Sequence, residues 1–252
     1  MWAKDRHHRI LSLLATREQV SVANLCEEFG VSRETLRRDI VQLESQGRLR
    51  RVHGGFTRAE DAEPAFKNRV SANSEAKRRI GAAAARLVEP GMLISVDAGT
   101  TTLAFAQFLA SVLGVKILTN SLGLAATVHE GGASDVILLG GRLGSDVPGT
   151  YGEITNSQLR RFRPQIAFFS PVAINPNEGA MNFDLEEADL ASTMCENAER
   201  VVVLADHSKL GNFSRIQVCA CDRISTLITD KKAPQACTAQ LMEAGVGDII
   251  RV

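Results

Sequence analysis

The sequence predicts an α/β protein in which a small N-terminal winged helix-turn-helix domain precedes a larger α/β domain. Two observations lead to this expectation. The first sixty residues carry three short amphipathic helix patterns and a pair of strand patterns around a Gly-Gly bend. From about residue 92 onward, short apolar runs alternate with helical stretches, which is typical of a mostly parallel sheet with helices on both faces. The predicted domains are 1–57 and 74–252, joined by a polar linker at 58–73.

Residues 10–43 carry the helix pattern of a helix-turn-helix domain. A first helix has Ile10, Leu11 and Leu14 on one stripe. Ser21 is suited to cap the second helix, and Gly30 to end it in the left-handed conformation. The apolar residues of this second helix repeat at helical spacing: Val22, Leu25, Cys26 and Phe29. Ser32 caps a third helix, and the predicted core face of that helix is Leu36, Ile40 and Leu43.

The outward face of the third helix is polar and basic. In a helix-turn-helix, this helix lies in the major groove with its N-terminal residues at the base edges. We therefore expect it to contact DNA through Ser32, Arg33, Glu34, Thr35, Arg37 and Arg38. The strand pair that follows is a predicted wing, from which Arg50, Arg51 and His53 reach phosphate or the minor groove.

The distribution of charge supports a DNA-binding head. The whole chain has 29 basic and 29 acidic residues, a net charge of zero. Residues 1–58 hold eleven lysines and arginines against seven acidic residues, or +4, which leaves −4 on the remainder. This distribution concentrates the attraction to DNA phosphate in residues 1–58, the basic head, and leaves the acidic remainder of the chain without it. The alternative is a small helical domain that binds protein, with its arginines as a solvated surface.

The α/β domain is predicted from its alternating elements. A helix capped by Ser74 runs to Val88, before Pro90 and Gly91. The predicted strands are 92–97, 115–119, 135–139, 166–170, 200–205, 225–229 and 248–252. The predicted helices between them are 102–111, 121–129, 151–161, 185–198 and 235–244.

Small and polar residues follow several of these strands, where α/β sheets bind ligands. The candidate ligand residues are Asp97, Gly99, Thr100, Thr101, Thr102, Thr119, Asn120, Ser121, Gly140, Gly141, Asp206 and Lys209. Lys209 is a compact cation for phosphate, and the two aspartates accept hydrogen bonds from sugar hydroxyls. The chain has neither a G-x-G-x-x-G nor a Walker motif, so a dinucleotide or nucleoside triphosphate is not favoured.

Other features exclude several protein classes. The five cysteines, an odd number without a C-x-x-C pair, are expected to be free thiols in a reducing cytoplasm. No apolar run approaches the length of a membrane span, and no secretory leader is evident. We expect a cytoplasmic protein that uses neither a metal nor a cofactor.

Particular motifs resemble the DeoR family of bacterial transcriptional repressors. In the head these are Thr35-Leu-Arg-Arg-Asp39 and His53-Gly-Gly55. In the larger domain they are Asp97-x-Gly-Thr-Thr101, Thr119-Asn-Ser121, Leu139-Gly-Gly141 and Ala205-Asp-His-Ser-Lys-Leu-Gly211. The resemblance implies a sensor fold similar to sugar-phosphate isomerases and CoA transferases, with a phosphorylated sugar or polyol as effector.

Further positions bear on the effector. Phe183-Asp184-x-x-Glu187 is similar to the subgroup that contains the glycerol-3-phosphate regulon repressor, which adds Asp184 and Glu187 to the candidate site. Two positions depart from the family pattern. Ser170-Pro171 stands where Gly-Ala is frequent, and Ala191 stands where the family often has a lysine.

The leading hypothesis is a repressor that binds duplex operator DNA and is released by the effector. Paired heads on a homo-oligomer, a dimer or tetramer, would match a palindromic operator. The rival hypothesis is a sugar-phosphate isomerase or CoA-transferase-like enzyme with an appended DNA-binding head. Such an enzyme needs a poised carboxylate, and none of the available glutamates lies in an isomerase or transferase motif: Glu153, Glu178, Glu186 and Glu187. A third hypothesis is a protein-binding adaptor.

Overall fold

The structure is a computed structural model that describes residues 3–16, 20–45, 49–52, 55–58, 65–132, 134–144 and 146–252. The chain divides into two compact units, residues 1–62 and 63–252. The predicted fold class, a small helix-turn-helix domain and a larger α/β domain, is confirmed. The predicted boundaries at 57, 58, 73 and 74 stay predictions.

The small unit has three helices and a two-stranded hairpin. Its elements are α1 (Ala3–Thr16), α2 (Val22–Phe29), α3 (Arg33–Ser45), β1 (Leu49–Val52) and β2 (Gly55–Arg58). Ser21 caps α2 as predicted, because its hydroxyl accepts a hydrogen bond from the Asn24 N–H at 3.1 Å. Gly30 ends α2 in the left-handed conformation, with φ of 63°. Leu36, Ile40 and Leu43 are buried in one core with residues of the other helices and the hairpin.

The hairpin is the predicted wing. Strands β1 and β2 pair antiparallel, with Leu49 opposite Arg58 and Val52 opposite Gly55. Val20, just before α2, exchanges two 2.8 Å backbone hydrogen bonds with Phe56. A Cβ on Gly55 would lie only 2.5 Å from the Val20 carbonyl oxygen, so this approach requires glycine. The wing is therefore tied to the residue that leads into the helix-turn-helix.

The large unit begins with α4 (Phe66–Ser71) and α5 (Ser74–Ala85). Its remaining helices are α6 (Thr100–Leu109), α7 (Leu122–Gly131), α8 (Glu153–Leu159), α9 (Leu185–Asn197) and α10 (Gln235–Glu243). Its strands are β3 (Leu93–Val96), β4 (Lys116–Thr119), β5 (Asp135–Leu138), β6 (Arg142–Leu143), β7 (Thr150–Tyr151), β8 (Ile166–Phe169), β9 (Ala173–Asn175), β10 (Gly179–Asn182), β11 (Arg200–Leu204), β12 (Ile216–Cys219), β13 (Thr226–Thr229) and β14 (Ile249–Arg251).

Seven parallel strands form the central sheet, in the order β14-β13-β11-β8-β3-β4-β5. Each strand matches one of the seven predicted runs to within one residue at either end. Alternate side chains enter cores on opposite faces: Val202 packs with α5, α6 and α7, whereas Val201 packs with α9 and α10. Within the described ranges, no helix has the length and apolarity needed to cross a bilayer.

The order of strands reverses between β3 and β8. Strands β4 and β5 extend the sheet to one side of β3, and β8 begins the other half. The loops that leave β3 and β8 therefore run in opposite directions and open a crevice at their carboxyl ends. Ligands of α/β sheets bind at such a reversal.

Several elements were not predicted. Strands β9, β10 and β12 form a small antiparallel sheet, and β6 pairs with β7. These strands are two to four residues long and lack an extended apolar run. The segment predicted as a linker contains α4, and α5 begins at Ser74 after Asn73, a left-handed residue that takes the capping position predicted for the serine.

The contact between α5 and α6 predicts the effect of a single methyl group. A Cβ on Gly81 of α5 would lie 2.8 Å from the Phe105 backbone Cα of α6. We expect Gly81→Ala to lower the free energy of unfolding by about 1–3 kcal/mol, because overpacking outweighs the better helix propensity. Urea unfolding measures this change. Gly123→Ala is the control, since its Cβ would meet only the movable Leu103 Cδ1, and an equal loss in both variants would contradict the packing argument.

Candidate functional site

The first candidate site is the outward face of α3. Ser32, Arg33, Glu34, Arg37 and Arg38 are exposed, as expected of a surface that meets DNA. The Ser32 hydroxyl accepts a hydrogen bond from the N–H of half-buried Thr35 at 3.2 Å, and the two hydroxyls lie 2.9 Å apart. These two residues therefore cap the helix as well as flanking the exposed face. Arg38 also pairs with Glu34 at 3.4 Å, an exposed ion pair of little energetic weight.

The wing supplies the other predicted DNA contacts. Arg50 and Arg51 lie on β1, opposite Thr57 and Phe56. The side chains of Arg50 and Arg51, and the whole of His53, lie outside the described residues. Their contact with DNA stays a prediction.

Asp39 is a structural residue of this site that sequence reasoning missed. Its carboxylate is buried and accepts hydrogen bonds from Arg6 Nε at 2.7 Å and Arg6 Nη2 at 3.0 Å, and it lies 3.0 Å from His7 Nε2. The hydrogen bond from Arg6 raises the pKa of that guanidinium. Asp39 thus fixes α1 against α3 from the core side. The signal was present, since Asp39 follows the core residue Leu36 at i+3.

The second candidate site is a polar cleft at the strand reversal of the large unit. Six of the predicted ligand residues line it: Asp97, Gly99, Thr100, Asn120, Glu187 and Lys209. Ser170, named in the sequence as a departure from the family pattern, also lines it. Sequence reasoning missed the other lining residues: Arg69, Ala98, Tyr151, Val172, Asn182 and Leu190. The cleft therefore combines cations, carboxyl groups, amides and a phenol over a small area.

Lys209 is held by Ser170 and Pro171, which together form one of the two departures from the family pattern. Its ammonium donates to the Ser170 hydroxyl at 2.9 Å and to the Pro171 carbonyl oxygen at 2.6 Å. The N–H of Ser170 donates in turn to Asp97 Oδ2 at 3.0 Å. Ser170 thus links the ammonium of Lys209, in the loop after β11, to the carboxyl group of Asp97, in the loop after β3.

Asp97 is a buried acid of the cleft with a perturbed pKa. Burial raises its pKa from 3.8 to about 6, although the Ser170 N–H and the charge of Lys209 oppose the shift. Its Oδ1 atom and the Oδ1 atom of Asn120 are buried and accept no hydrogen bond of good geometry from the described residues, although the Thr102 hydroxyl is near enough to oppose the rise in the Asp97 pKa. An unsatisfied buried acceptor is destabilising by about 1–3 kcal/mol, so both atoms are suited to a ligand that brings donors.

Tyr151 adds a neutral group to the same cleft. Burial raises the pKa of its phenol far above the ordinary value, and the charges of Glu187 and Asp97 raise it further. The phenol is therefore protonated at neutral pH and can donate a hydrogen bond. Its position at the end of β7 escaped prediction because β7 is only two residues long, and residue 151 was assigned to the predicted helix 151–161.

The other eight predicted ligand residues do not line the cleft. Thr101 and Thr102 lie in the first turn of α6, where Thr102 Oγ1 accepts from the Gly99 N–H at 2.8 Å. Thr119 Oγ1 accepts from the N–H of Ser121 at 3.0 Å, and Ser121 caps α7. These hydroxyl groups shape the loops around the cleft.

Glycines and aspartates among the eight also have structural partners. Gly140 bonds to Gln158 and Thr155, and a Cβ on Gly141 would lie 2.1 Å from Thr155 Oγ1. Asp184 caps α9 by accepting from the N–H groups of Glu186 and Glu187. Asp206 Oδ1 accepts from Ser208 N, Ser208 Oγ and Asn73 Nδ2. Protein donors thus bind the Oδ1 atom of each aspartate.

A winged helix-turn-helix unit followed by an α/β unit with a polar cleft is the architecture of a ligand-responsive transcriptional regulator. Residues 6–62 match the DeoR-like helix-turn-helix domain, and residues 72–231 match the DeoR C terminal sensor domain. The chain belongs to the DeoR family of transcriptional repressors.

Full-length relatives agree with this assignment. The HTH-type transcriptional repressor GlcR of Bacillus subtilis (strain 168) is 32% identical, covering 98% of this chain and 95% of that protein. The glycerol-3-phosphate regulon repressor of Escherichia coli (strain K12) is 30% identical, covering 91% and 92%. A solved ribose 5-phosphate isomerase from Methanocaldococcus jannaschii shares 19% identity over 55% of each chain, with a TM-score of 0.42. The prediction that the chain is not an enzyme is confirmed by its repressor relatives, and the enzyme alternative is set aside.

The raised pKa of Asp97 predicts a pH-dependent effect on stability. The folded protein keeps the Asp97 proton up to about pH 6, whereas the unfolded chain releases it near pH 3.8. The free energy of unfolding therefore falls as the pH rises between these two values. We expect Asp97→Asn to raise the free energy of unfolding by roughly 2 kcal/mol at pH 7.5, with a gain that shrinks towards zero near pH 4.

Denaturant unfolding at several pH values checks this expectation. Asp135→Asn, which changes an exposed aspartate on β5, is the matched control and should show no such trend. A gain from Asp97→Asn that is the same at every pH, or a loss at pH 7.5, would contradict the assignment.

Proposed function

We propose that this protein represses genes of sugar or polyol metabolism and leaves its operator when a phosphorylated sugar or polyol binds the cleft. One observation carries the proposal: the cleft places two cationic side chains beside buried acceptor atoms that lack a hydrogen bond of good geometry from the described residues. A phosphorylated polyol brings an anion and hydroxyl donors together. The name of one relative, a glycerol-3-phosphate regulon repressor, supports this chemical class.

The cationic end of the cleft is suited to the phosphate group. Lys209 offers a compact ammonium, and Arg69 offers a planar guanidinium that binds phosphate with two parallel hydrogen bonds. Helix α6 begins at Thr100 in the wall of the cleft, so its first-turn N–H groups add to the attraction for an anion. We assign the phosphate to this end.

The acceptor end is suited to hydroxyl groups. Asp97 Oδ1 and Asn120 Oδ1 accept hydrogen bonds from a polyol, and the phenol of Tyr151 donates one. Glu187 completes the wall and disfavours a second anionic group at this end. Glycerol 3-phosphate, indicated by the subgroup motif around Glu187, is the first compound to test.

The DNA-binding part of the proposal rests on α3 and the wing. The exposed arginines of α3 would contact the operator, and two heads of a homo-oligomer, a dimer or tetramer, would read a palindromic site. Release requires that the effector bind the operator-competent and operator-incompetent arrangements with different affinity. A repressor of this kind acts on DNA in the cytoplasm.

The double variant Arg37→Ala/Arg38→Ala tests the DNA-binding face. We expect at least about a 100-fold loss of operator affinity, and a salt slope lowered by roughly 0.9 for each phosphate contact removed. Fluorescence anisotropy on DNA from its own promoter region measures both quantities. Arg160→Ala/Arg161→Ala removes the same charge from the large unit, and an equal loss in this control would contradict the placement of the operator on α3.

Lys209→Met tests the cleft. We expect unchanged operator affinity and at least a tenfold higher effector concentration for half-release, because the variant loses a phosphate partner. A thermal-shift screen of phosphorylated sugars and polyols first identifies a binding compound, since a ligand of the folded state raises apparent stability. Lys116→Met, an exposed lysine at the start of β4, is the control. An unaltered release curve for Lys209→Met would remove this lysine from the site.

A further inference from the structure

Helix α4 is a short element with an unusual attachment. At its first residue, the Phe66 N–H donates to both carboxylate oxygens of Asp146, at 3.0 and 3.1 Å. The Arg69 Nη2 atom donates to Asp146 Oδ2 at 3.2 Å. Asp146 lies in the segment between β6 and β7, far from α4 in sequence. A single carboxylate thus binds both the backbone and a side chain of α4.

The other end of α4 is attached to the body of the large unit. Lys77 of α5 is almost fully buried, and its ammonium donates to the Arg69 carbonyl oxygen. The ring of Phe66 packs against the core that contains Tyr151 and Leu190, two residues of the cleft wall. Helix α4 is therefore held by Asp146 at one end, by α5 at the other, and by an apolar contact to the cleft wall between them.

Arg69 connects this attachment to the cleft. Its side chain is only 16% exposed and lines the same cleft as Lys209, while it is paired with Asp146. A guanidinium has five N–H donors in a rigid fork, so one edge can bind Asp146 while another binds an anion. The Asp146 side chain is 48% exposed, so solvent screens its charge at the cleft.

We propose that Asp146 is a positioning residue for the effector: it holds Arg69 over the cleft so that Asp146, Arg69 and the bound anion form one hydrogen-bonded chain. By linkage, an effector that binds Arg69 also tightens the docking of α4. Helix α4 is the first described element after the DNA-binding unit in the sequence. The inference rests on the proposed function, because it requires an anionic effector in the cleft.

A double-mutant cycle in the full chain tests the positioning role. The variants are Asp146→Asn, Arg69→Gln and the pair, and the probes are glycerol 3-phosphate, ribose 5-phosphate and glucose 6-phosphate, measured by calorimetry. Asparagine keeps an acceptor for the Phe66 N–H but loses the charge that orients Arg69. We expect Asp146→Asn to weaken probe binding about fivefold in the wild-type background and less than about twofold beside Arg69→Gln, because Asp146 acts through the arginine.

Two results of the cycle would overturn the proposal. Tighter probe binding by Asp146→Asn would show that the aspartate competes with the anion for Arg69. If Asp146→Asn weakened probe binding equally in the wild type and beside Arg69→Gln, the role of Asp146 would be merely structural. Asp135→Asn, on the exposed edge of β5, is the matched control and should leave probe affinity unchanged.

Amide hydrogen exchange separates this proposal from the proposed function. In the unliganded full chain, Asp146→Asn should increase the exchange rates of the α4 amides about tenfold and leave those of the central strands unchanged. A bound probe should slow α4 exchange in the wild type and not beside Arg69→Gln. If no probe binds the wild type, the proposed effector class fails, whereas unchanged α4 exchange in unliganded Asp146→Asn would overturn the role of Asp146 itself.

Discussion

The reversal of strand order between β3 and β8 is the constraint on which the large unit depends. It brings the loop after β3 and the loop after β8 together, so that the Ser170 N–H binds the carboxyl group of Asp97. The same loop then receives the ammonium of Lys209 from the next strand, β11. A cation and a buried carboxyl group stand close together here because the topology gives them one shared linker, Ser170. The cleft is a direct consequence of how the sheet is wound.

The two units use buried polar groups in different ways. In the small unit, Asp39 has its hydrogen bonds supplied by Arg6 and His7, and it serves to orient α3. In the large unit, Asp97 retains one oxygen without a protein donor, and burial raises its pKa. The first arrangement fixes a surface that meets DNA. The second leaves an unmet hydrogen-bonding requirement that a ligand can satisfy.

The sheet could be predicted because its strands are buried on both faces and therefore appear as apolar runs, as at Val201–Leu204. The loops at the strand ends were also located, but the direction of individual side chains was not. Asp206 follows a strand as Asp97 does, yet the Oδ1 atom of Asp206 binds the N–H of Ser208 in a local cap, and Asp206 does not line the cleft. Arg69 escaped prediction because a polar six-residue helix has no periodic signal. Its position depends on a hydrogen bond to Asp146, which is distant in the sequence.

The central claim is that the basic N-terminal unit binds duplex DNA and that a phosphorylated metabolite in the cleft lowers its affinity for that DNA. The most direct measurement is anisotropy of the full chain on labelled DNA from its own promoter region, across ionic strengths, with matched phosphorylated and unphosphorylated sugars and polyols. The account predicts a steep fall of affinity with salt, and release by at least one phosphorylated compound but not by its unphosphorylated counterpart. Absence of binding at every ionic strength, or equal release by both members of a pair, would contradict it.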